Sequence, residues 1–205
     1  MKKVLILCNG SPPSRELFRE SFAQADYFIA ADGGGNIARQ FSTQPDVVIG
    51  DLDSYKPVSN EPFKVVSRPN QEYNDLEKAL TYADKEGGTH IHVLGATGYR
   101  LDQTLKNLSV LKQFNSNFQS LVMKDNYGDT QLITPTYETE LAIGTTVSLF
   151  PLSGTVTGIT THGLKYPLEN ESLTNGIRDG SSNEVIKPTV EITYQSGDLL
   201  LFVCR

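Results

Sequence analysis

Tryptophan is absent from this 205-residue chain, and cysteine, methionine and histidine number only two, two and three. Two cysteines cannot supply the disulfide framework of a small secreted domain. Cys8 and Cys204 both sit in apolar, strand-like runs near opposite ends of the chain. The expected state is two reduced, buried thiols in a cytoplasmic protein. Of the histidines, His90 and His92 share the alternating run HIHV and read as structural, while His162 stays open. Nothing approaches eighteen consecutive apolar residues, so no membrane-spanning helix is expected. The start, MKKVLILCNGSPP, resembles a signal peptide for eight residues. Its apolar run is short and ends at Asn9 and Gly10 without a small-residue cleavage site, so it reads as a first strand. Basic charge is also short: the net charge is −6. That argues against a nucleic-acid surface, which carries a basic stripe. It leaves room for an anionic small ligand held by a local cation or a metal. The phosphate-binding pattern GxxxxGK[ST] is missing, which excludes a standard P-loop enzyme.

What is present is ordinary for a soluble globular protein: 38% hydrophobic and 20% charged residues, enough to build a core. Over the first 126 residues, short apolar runs alternate with helix-like stretches. The runs are VLILC (4–8), YFIAA (27–31), DVVIG (46–50), FKVVS (63–67), HIHVLG (90–95) and FQSLVMK (118–124). The helix-like stretches are 14–25, with Leu17, Phe18, Phe22 and Ala25 on one face; 74–88, capped by Asn74, with Leu76, Ala79, Leu80 and Ala83 inward; and 102–114, with Leu105, Leu108, Leu111 and Phe114 inward. The glycines 33–35 read as a relaxed turn. This alternation, with nearly all-apolar strands, predicts an α/β N-terminal domain with a mostly parallel sheet covered on both faces. Beyond residue 126 the helical period disappears. Short alternating runs rich in threonine and separated by Gly, Pro, Asn and Ser predict a C-terminal all-β sandwich domain. The expected domains are 1–126 and 127–205.

Acids fall where an open α/β sheet binds its ligands, beyond the carboxyl ends of strands. Asp32 follows YFIAA and leads into ADGGGN. Asp51 and Asp53 follow DVVIG. Glu72 and Asp75 follow FKVVSRPNQ. Asp102 follows HIHVLGATGYRL. Any one of them reads equally as a turn former or helix cap. Together they imply several like charges at one sheet edge, which is costly without a cation. Mg²⁺ prefers oxygen ligands, so a few carboxylates with substrate phosphates suit it; Asp51 and Asp53 are the expected holders. In GATGYRLDQ (95–103) the glycines let backbone N–H groups approach an anion, and Arg100 offers a fork of donors matched to phosphate. A salt bridge from Arg100 to Asp102 is the competing reading.

ADGGGN, GDLDS, PNQEYNDLEKAL and GATGYRLDQTLKN, in this order and spacing, resemble the thiamine pyrophosphokinase family, and THGLKYPLENESL…SSN with GDLLLFV resembles its β-domain. The resemblance runs from Asn9 to Val203. It implies transfer of an intact pyrophosphoryl group from ATP to the hydroxyl of thiamine, giving thiamine diphosphate and AMP, with Mg²⁺ as cofactor. It also implies a homodimer whose sites lie between the α/β domain of one chain and the β-domain of the other. By motif, Asp32, Asp51, Asp53, Asp75 and Asp102 match the acidic set around metal and phosphates, with Asp51, Asp53 and Asp75 as the metal set. Asp51, Asp53, Asp75 and Asp102 are the expected catalytic acids. Gln71 matches a residue near the substrate, Arg100 a phosphate contact, and Ser182 with Asn183 the thiamine side. The family's glycine loop, commonly G-G-R-x-D-H, is here Gly98-Tyr99-Arg100-Leu101-Asp102-Gln103. Its D-x-T-D stretch is Glu72-Tyr73-Asn74-Asp75, and its G-L-K-W is Gly163-Leu164-Lys165-Tyr166. Tyr166 keeps a π face for a cationic or flat ring, and packing within the β-sheet is its other reading. Two alternatives stand beside the kinase: a D-x-D metal-dependent phosphatase, which would place its D-x-D after the first strand, and a non-catalytic nucleotide-sensing protein.

Overall fold

The computed structural model describes all 205 residues. The chain forms two compact units, Met1–Asn126 and Tyr127–Arg205. In the first, six strands form a parallel array: β1 (Lys3–Leu7), β2 (Tyr27–Ala31), β3 (Val47–Gly50), β4 (Lys64–Ser67), β5 (His90–Leu94) and β6 (Ser120–Lys124). Their spatial order is β6-β5-β1-β2-β3-β4, with every pairing parallel. Four helices connect them: α1 (Arg15–Ala23), α2 (Gly34–Gln40), α3 (Asp75–Lys85) and α4 (Leu101–Phe114). Strands β1, β2 and β3 are almost wholly buried, as expected for strands covered on both faces.

The helices start where their sequences direct. The Ser14 hydroxyl accepts from the Leu17 N–H and caps α1. Asn74 caps α3 in a reciprocal box, its side chain accepting from the Glu77 N–H while Glu77 accepts from the Asn74 N–H. These bonds satisfy N–H groups that have no partner within the helix. Leu76, Ala79, Leu80 and Ala83 of α3 are buried as their spacing predicts.

Four expectations need correction. Residues 33–35 do more than relax a turn: Gly34 and Gly35 open α2 and are buried, because only side-chain-free backbone fits that close to the sheet. The inward face of α4 is Asn107, Val110, Leu111 and Phe114, and Leu105 is 56% exposed. The leucine spacing described a stripe, but in the first turns of α4 the buried position is taken by Asn107 in place of Leu105 or Leu108, and the stripe is inward only at Leu111 and Phe114. Phe22 of α1 is partly exposed at the edge of an aromatic group with Phe18 and Phe28. Finally, both cysteines are free, but Cys204, at the end of β14 (Leu199–Cys204), is exposed.

The thiols therefore differ. Burial pushes the Cys8 thiol up to about 12, and the thiolate is the reactive form. Iodoacetamide at neutral pH is expected to label Cys204 within minutes to hours and Cys8 only after denaturation. Two labels on native protein, counted by intact mass, would show that the first unit opens at the carboxyl end of β1.

In the second unit, β7 (Gly128–Leu132), β14 (Leu199–Cys204), β9 (Thr146–Pro151) and β12 (Gly180–Glu184) pair antiparallel in that order. β8 (Thr136–Glu140), β13 (Thr189–Thr193), β10 (Thr155–His162) and β11 (Glu171–Thr174) form a second antiparallel sheet. Val147, Leu149 and Leu201 from the first set meet Ile159, Leu173 and Ile192 from the second in one buried core. Period-two alternation produces this: the residues between them face outward.

Candidate active site

In the first unit, β1 has β2 on one side and β5 on the other. The chain thus leaves these strands in opposite directions, which opens a crevice at their carboxyl ends. A cavity of about 370 Å³ lies there. Cys8, Asn9 and Gly10 line it after β1, and Gly95 and Ala96 after β5. The acids enter from β2, β3 and α3.

Asp32, Asp51 and Asp75 present carboxylate oxygens within 4.8 Å of one another. Each is held by specific donors. Asp32 is 2% exposed and accepts the Ser54 and Tyr55 N–H groups on its two oxygens, both at 3.2 Å. It thereby also anchors the loop after β3. Burial pushes its carboxyl above the usual range. Asp51 accepts from Gln71 Nε2 at 2.8 Å and from the Asp53 N–H at 3.2 Å. The Gln71 bond leads in holding its carboxyl below the usual range. Asp75 accepts from Lys78 Nζ at 3.0 Å, and Lys78 is itself buried. Gly50 permits the assembly: a Cβ there would stand 2.7 Å from the Asp32 Cβ and 3.0 Å from Asp75 Oδ1.

The other named residues fall as follows. Asp53 lines the cavity from its exposed lip and accepts from the Ser54 hydroxyl at 2.9 Å. Leu52, between the two acids, has φ +67°, a left-handed turn that separates the directions of Asp51 and Asp53. The group that forms is thus Asp32, Asp51 and Asp75, with Asp53 beside it. Arg100 lines the cavity, but its guanidinium is bidentate to Asp102, at 3.1 and 2.5 Å. Both side chains are exposed, and Asp102 stands outside the cavity lining. Tyr99 has φ +54° and is exposed. Asp32 (φ +45°) and Ser182 (φ +58°) share this unfavourable region. Such strain concentrates at functional positions.

In the second unit, Tyr166 and Asn183 line a separate cavity of about 210 Å³ with Arg178, Asp179 and Ser181. Asn183 accepts from the Tyr166 N–H at 3.0 Å and donates to its carbonyl at 2.7 Å. The Tyr166 ring is 63% exposed, so it is not consumed by sheet packing. The Ser182 N–H donates to Ser148 Oγ at 2.9 Å.

Sequence reasoning missed Lys78 and Asn107. Lys78 was signalled by its place three residues after Asp75 on a helix, the spacing of an intrahelical ion pair. Asn107 closes the stretch GATGYRLDQTLKN, but no role was assigned to it there.

Three carboxylate oxygens this close suit one octahedral cation. Ligand oxygens about 2.1 Å from Mg²⁺ lie about 3.0–4.2 Å apart, within a small relaxation of the spread seen here. Acids at the switch point of a parallel sheet, with a glycine-rich turn beside them, are the arrangement of a phosphate-handling enzyme, and the three carboxylates could hold a divalent cation. Residues 18–123 match the family model described as the catalytic domain of thiamin pyrophosphokinase, and residues 132–199 its vitamin B1 binding domain. The chain belongs to the thiamin pyrophosphokinase family. It is similar to a thiamin pyrophosphokinase of Caenorhabditis elegans, 29% identical over 215 residues, covering 97% of this chain and 87% of that one. A rice relative, thiamine pyrophosphokinase 1, is 31% identical over 170 residues, 75% of this chain and 64% of its own. The crystal structure of the Bacillus subtilis thiamine pyrophosphokinase shares the fold, with a TM-score of 0.85 over 99% of each chain at 23% identity. The activity is that of the family: transfer of the pyrophosphoryl group of ATP to thiamine, forming thiamine diphosphate. No helix is long and apolar enough to cross a membrane.

Proposed function

We propose that the first unit binds ATP with Mg²⁺ and the second binds thiamine. Asp32, Asp51 and Asp75 hold the cation, Asp53 flanks it, and Tyr166 and Asn183 frame the thiamine side with Ser182. The observation that carries this reading is the convergence of three acids from β2, β3 and α3 at the switch point. When bound, the cation neutralises charge on the polyphosphate and aligns it.

The chain's own residues do the rest. Gln71 and the Asp53 N–H fix Asp51, and Lys78 fixes Asp75, so the carboxylates meet the cation already oriented. Arg100 exchanges part of its pairing with Asp102 for phosphate oxygens at the cavity mouth. The thiamine hydroxyl oxygen bonds to the β-phosphorus, the bridge between the α- and β-phosphates breaks, and AMP leaves with that electron pair. Asp53, the cavity acid outside the three-carboxylate group, takes the hydroxyl proton. The homodimer implied by the resemblance belongs to this reading: it would bring the first unit of one protomer to the second unit of its partner.

Incubation with ATP, Mg²⁺ and thiamine is expected to give AMP and thiamine diphosphate in equal amounts, resolved by anion-exchange chromatography, and excess chelator should stop it. ADP or inorganic phosphate in place of AMP would overturn the reading.

A further inference from the structure

Asn107 projects from the second turn of α4 and is 9% exposed. Its carboxamide is committed at both ends. Nδ2 donates to the Ala96 carbonyl at 2.7 Å, and Oδ1 accepts from Asn74 Nδ2 at 2.9 Å. Asn74 in turn accepts the Glu77 N–H at 2.9 Å. One chain of hydrogen bonds therefore runs from the first turn of α3, through Asn74 and Asn107, to the turn after β5. Residues at both ends line the cavity. Asp75, next to Asn74, belongs to the acidic wall. Ala96 belongs to the Gly95–Arg100 turn, which is itself tied to Gly10 and Ser11 through the Gly95 and Thr97 carbonyls at 2.7 and 2.8 Å. Asn74, Ala96 and Asn107 all line the cavity.

We propose that Asn107 is a positioning residue that fixes the distance between the acidic wall and the glycine-turn wall of the polyphosphate cavity. The inference rests on the reading of this cavity as the ATP site. The chemistry of the pin is specific. Its middle member must donate at one end and accept at the other, which asparagine does and aspartate cannot: a carboxylate would oppose the Ala96 carbonyl. A chain of this length also has no slack, since each bond lies near the ideal distance. A buried amide with both ends engaged holds its partners more firmly than a solvated one.

The test uses Asn107→Ala, Asn107→Asp and Asn74→Ser, each assayed for melting temperature, for binding of a non-hydrolysable ATP analogue with Mg²⁺, and for kcat and KM. Serine caps a helix as well as asparagine does and completes the same reciprocal box with Glu77, but it is too short to reach Asn107. Asn74→Ser therefore removes the pin and keeps the cap. Expected are a loss of analogue affinity of about 10-fold or more in all three variants, in line with the loss of supporting partners around a site, and a KM for thiamine within about twofold of wild type. Asn74→Ser should melt close to wild type. If Asn107→Ala and Asn74→Ser bind the analogue like wild type at temperatures where they are folded, Asn107 is only a structural hydrogen bond and the proposal fails. If wild-type protein itself does not bind the analogue, the reading of the cavity fails, and the proposal with it.

Discussion

Asp51→Asn is expected to lower the rate of pyrophosphoryl transfer by about three orders of magnitude while leaving the protein folded. The size follows from charge. Losing one anionic ligand removes several kcal/mol of the stabilisation that a metal provides to a phosphoryl group in transfer, and each 1.4 kcal/mol is about tenfold in rate. Asparagine is nearly isosteric, and its carbonyl can still accept from the Asp53 N–H as Oδ1 does now. What it loses is the acceptor that faces Gln71 Nε2. Asp51 is only half-buried, so the change in stability should stay within about 1 kcal/mol. Its sign depends on pH. The Gln71 bond holds the Asp51 carboxyl below its usual range, so its ionised form contributes stability above the unfolded carboxylate value of about 3.9. That contribution is lost as pH falls through the lower folded value. The wild-type advantage over Asp51→Asn should therefore be present at pH 6 and absent near pH 2, read by urea denaturation without metal. Asp32, pushed up by burial, acts with the opposite sign, and losing the neighbouring Asp51 charge eases its ionisation, so the comparison is read at pH 6, where the ionised Asp51 dominates, against pH 2, where both acids are protonated. Transfer rates within tenfold of wild type would remove Asp51 from the metal set.

Much of this site was legible because its parts are local. A strand followed by an acid is a pattern of a few residues, and the switch-point rule then says which end of the sheet those acids share. Asp32, Asp51 and Asp75 could therefore be placed at one edge from the sequence. The division of labour among them could not. Whether Asp53 or Asp32 joins the group is decided by the left-handed turn at Leu52 and by the loop N–H groups that seize Asp32, and neither follows from a D-x-D spacing. Arg100 shows the same limit: its sequence allowed phosphate or Asp102 as partner, and the nearer carboxylate holds it. Apolar spacing was reliable in α3, which lies along the sheet. It failed in the first turns of α4, because spacing among apolar residues cannot register a polar side chain, Asn107, that takes the buried position through its hydrogen bonds. Asn107, though it closes the stretch GATGYRLDQTLKN, carried no assigned role for a related reason. A polar residue within an apolar stripe reads as noise until both of its partners, 33 and 11 residues away, are seen.

Gly34→Ala should cause the largest loss of stability, about 3 kcal/mol or more, or roughly 6–12 °C in melting temperature for a chain of this length. The three glycines opening α2 each face an obstacle, and the obstacles differ in kind. A Cβ on Gly33 would meet the Asn9 side chain, and one on Gly35 would meet the Tyr55 ring at 2.7 and 2.9 Å. The exposed Asn9 side chain can turn aside at modest cost, whereas the Tyr55 ring is buried against Ala30 and Val48 and gives way less readily, though it is still a side chain and not the backbone. A Cβ on Gly34 would press into the backbone carbonyl of Leu7. Leu7 is fixed by parallel partners on both sides, Ala30 of β2 and Leu94 of β5, so relief has to come from α2 moving off the sheet. That movement drags the site, because the Gly35 N–H bonds the Asp32 carbonyl at 3.0 Å and Gly33 directly follows Asp32. The expected order of melting temperatures is wild type, then Gly35→Ala and Gly33→Ala, then Gly34→Ala lowest. Metal affinity should fall in Gly34→Ala even at temperatures where it remains folded. If Gly34→Ala melted with wild type, α2 would not be seated on β1, and the short tie between β1 and the acidic wall would have to be redrawn.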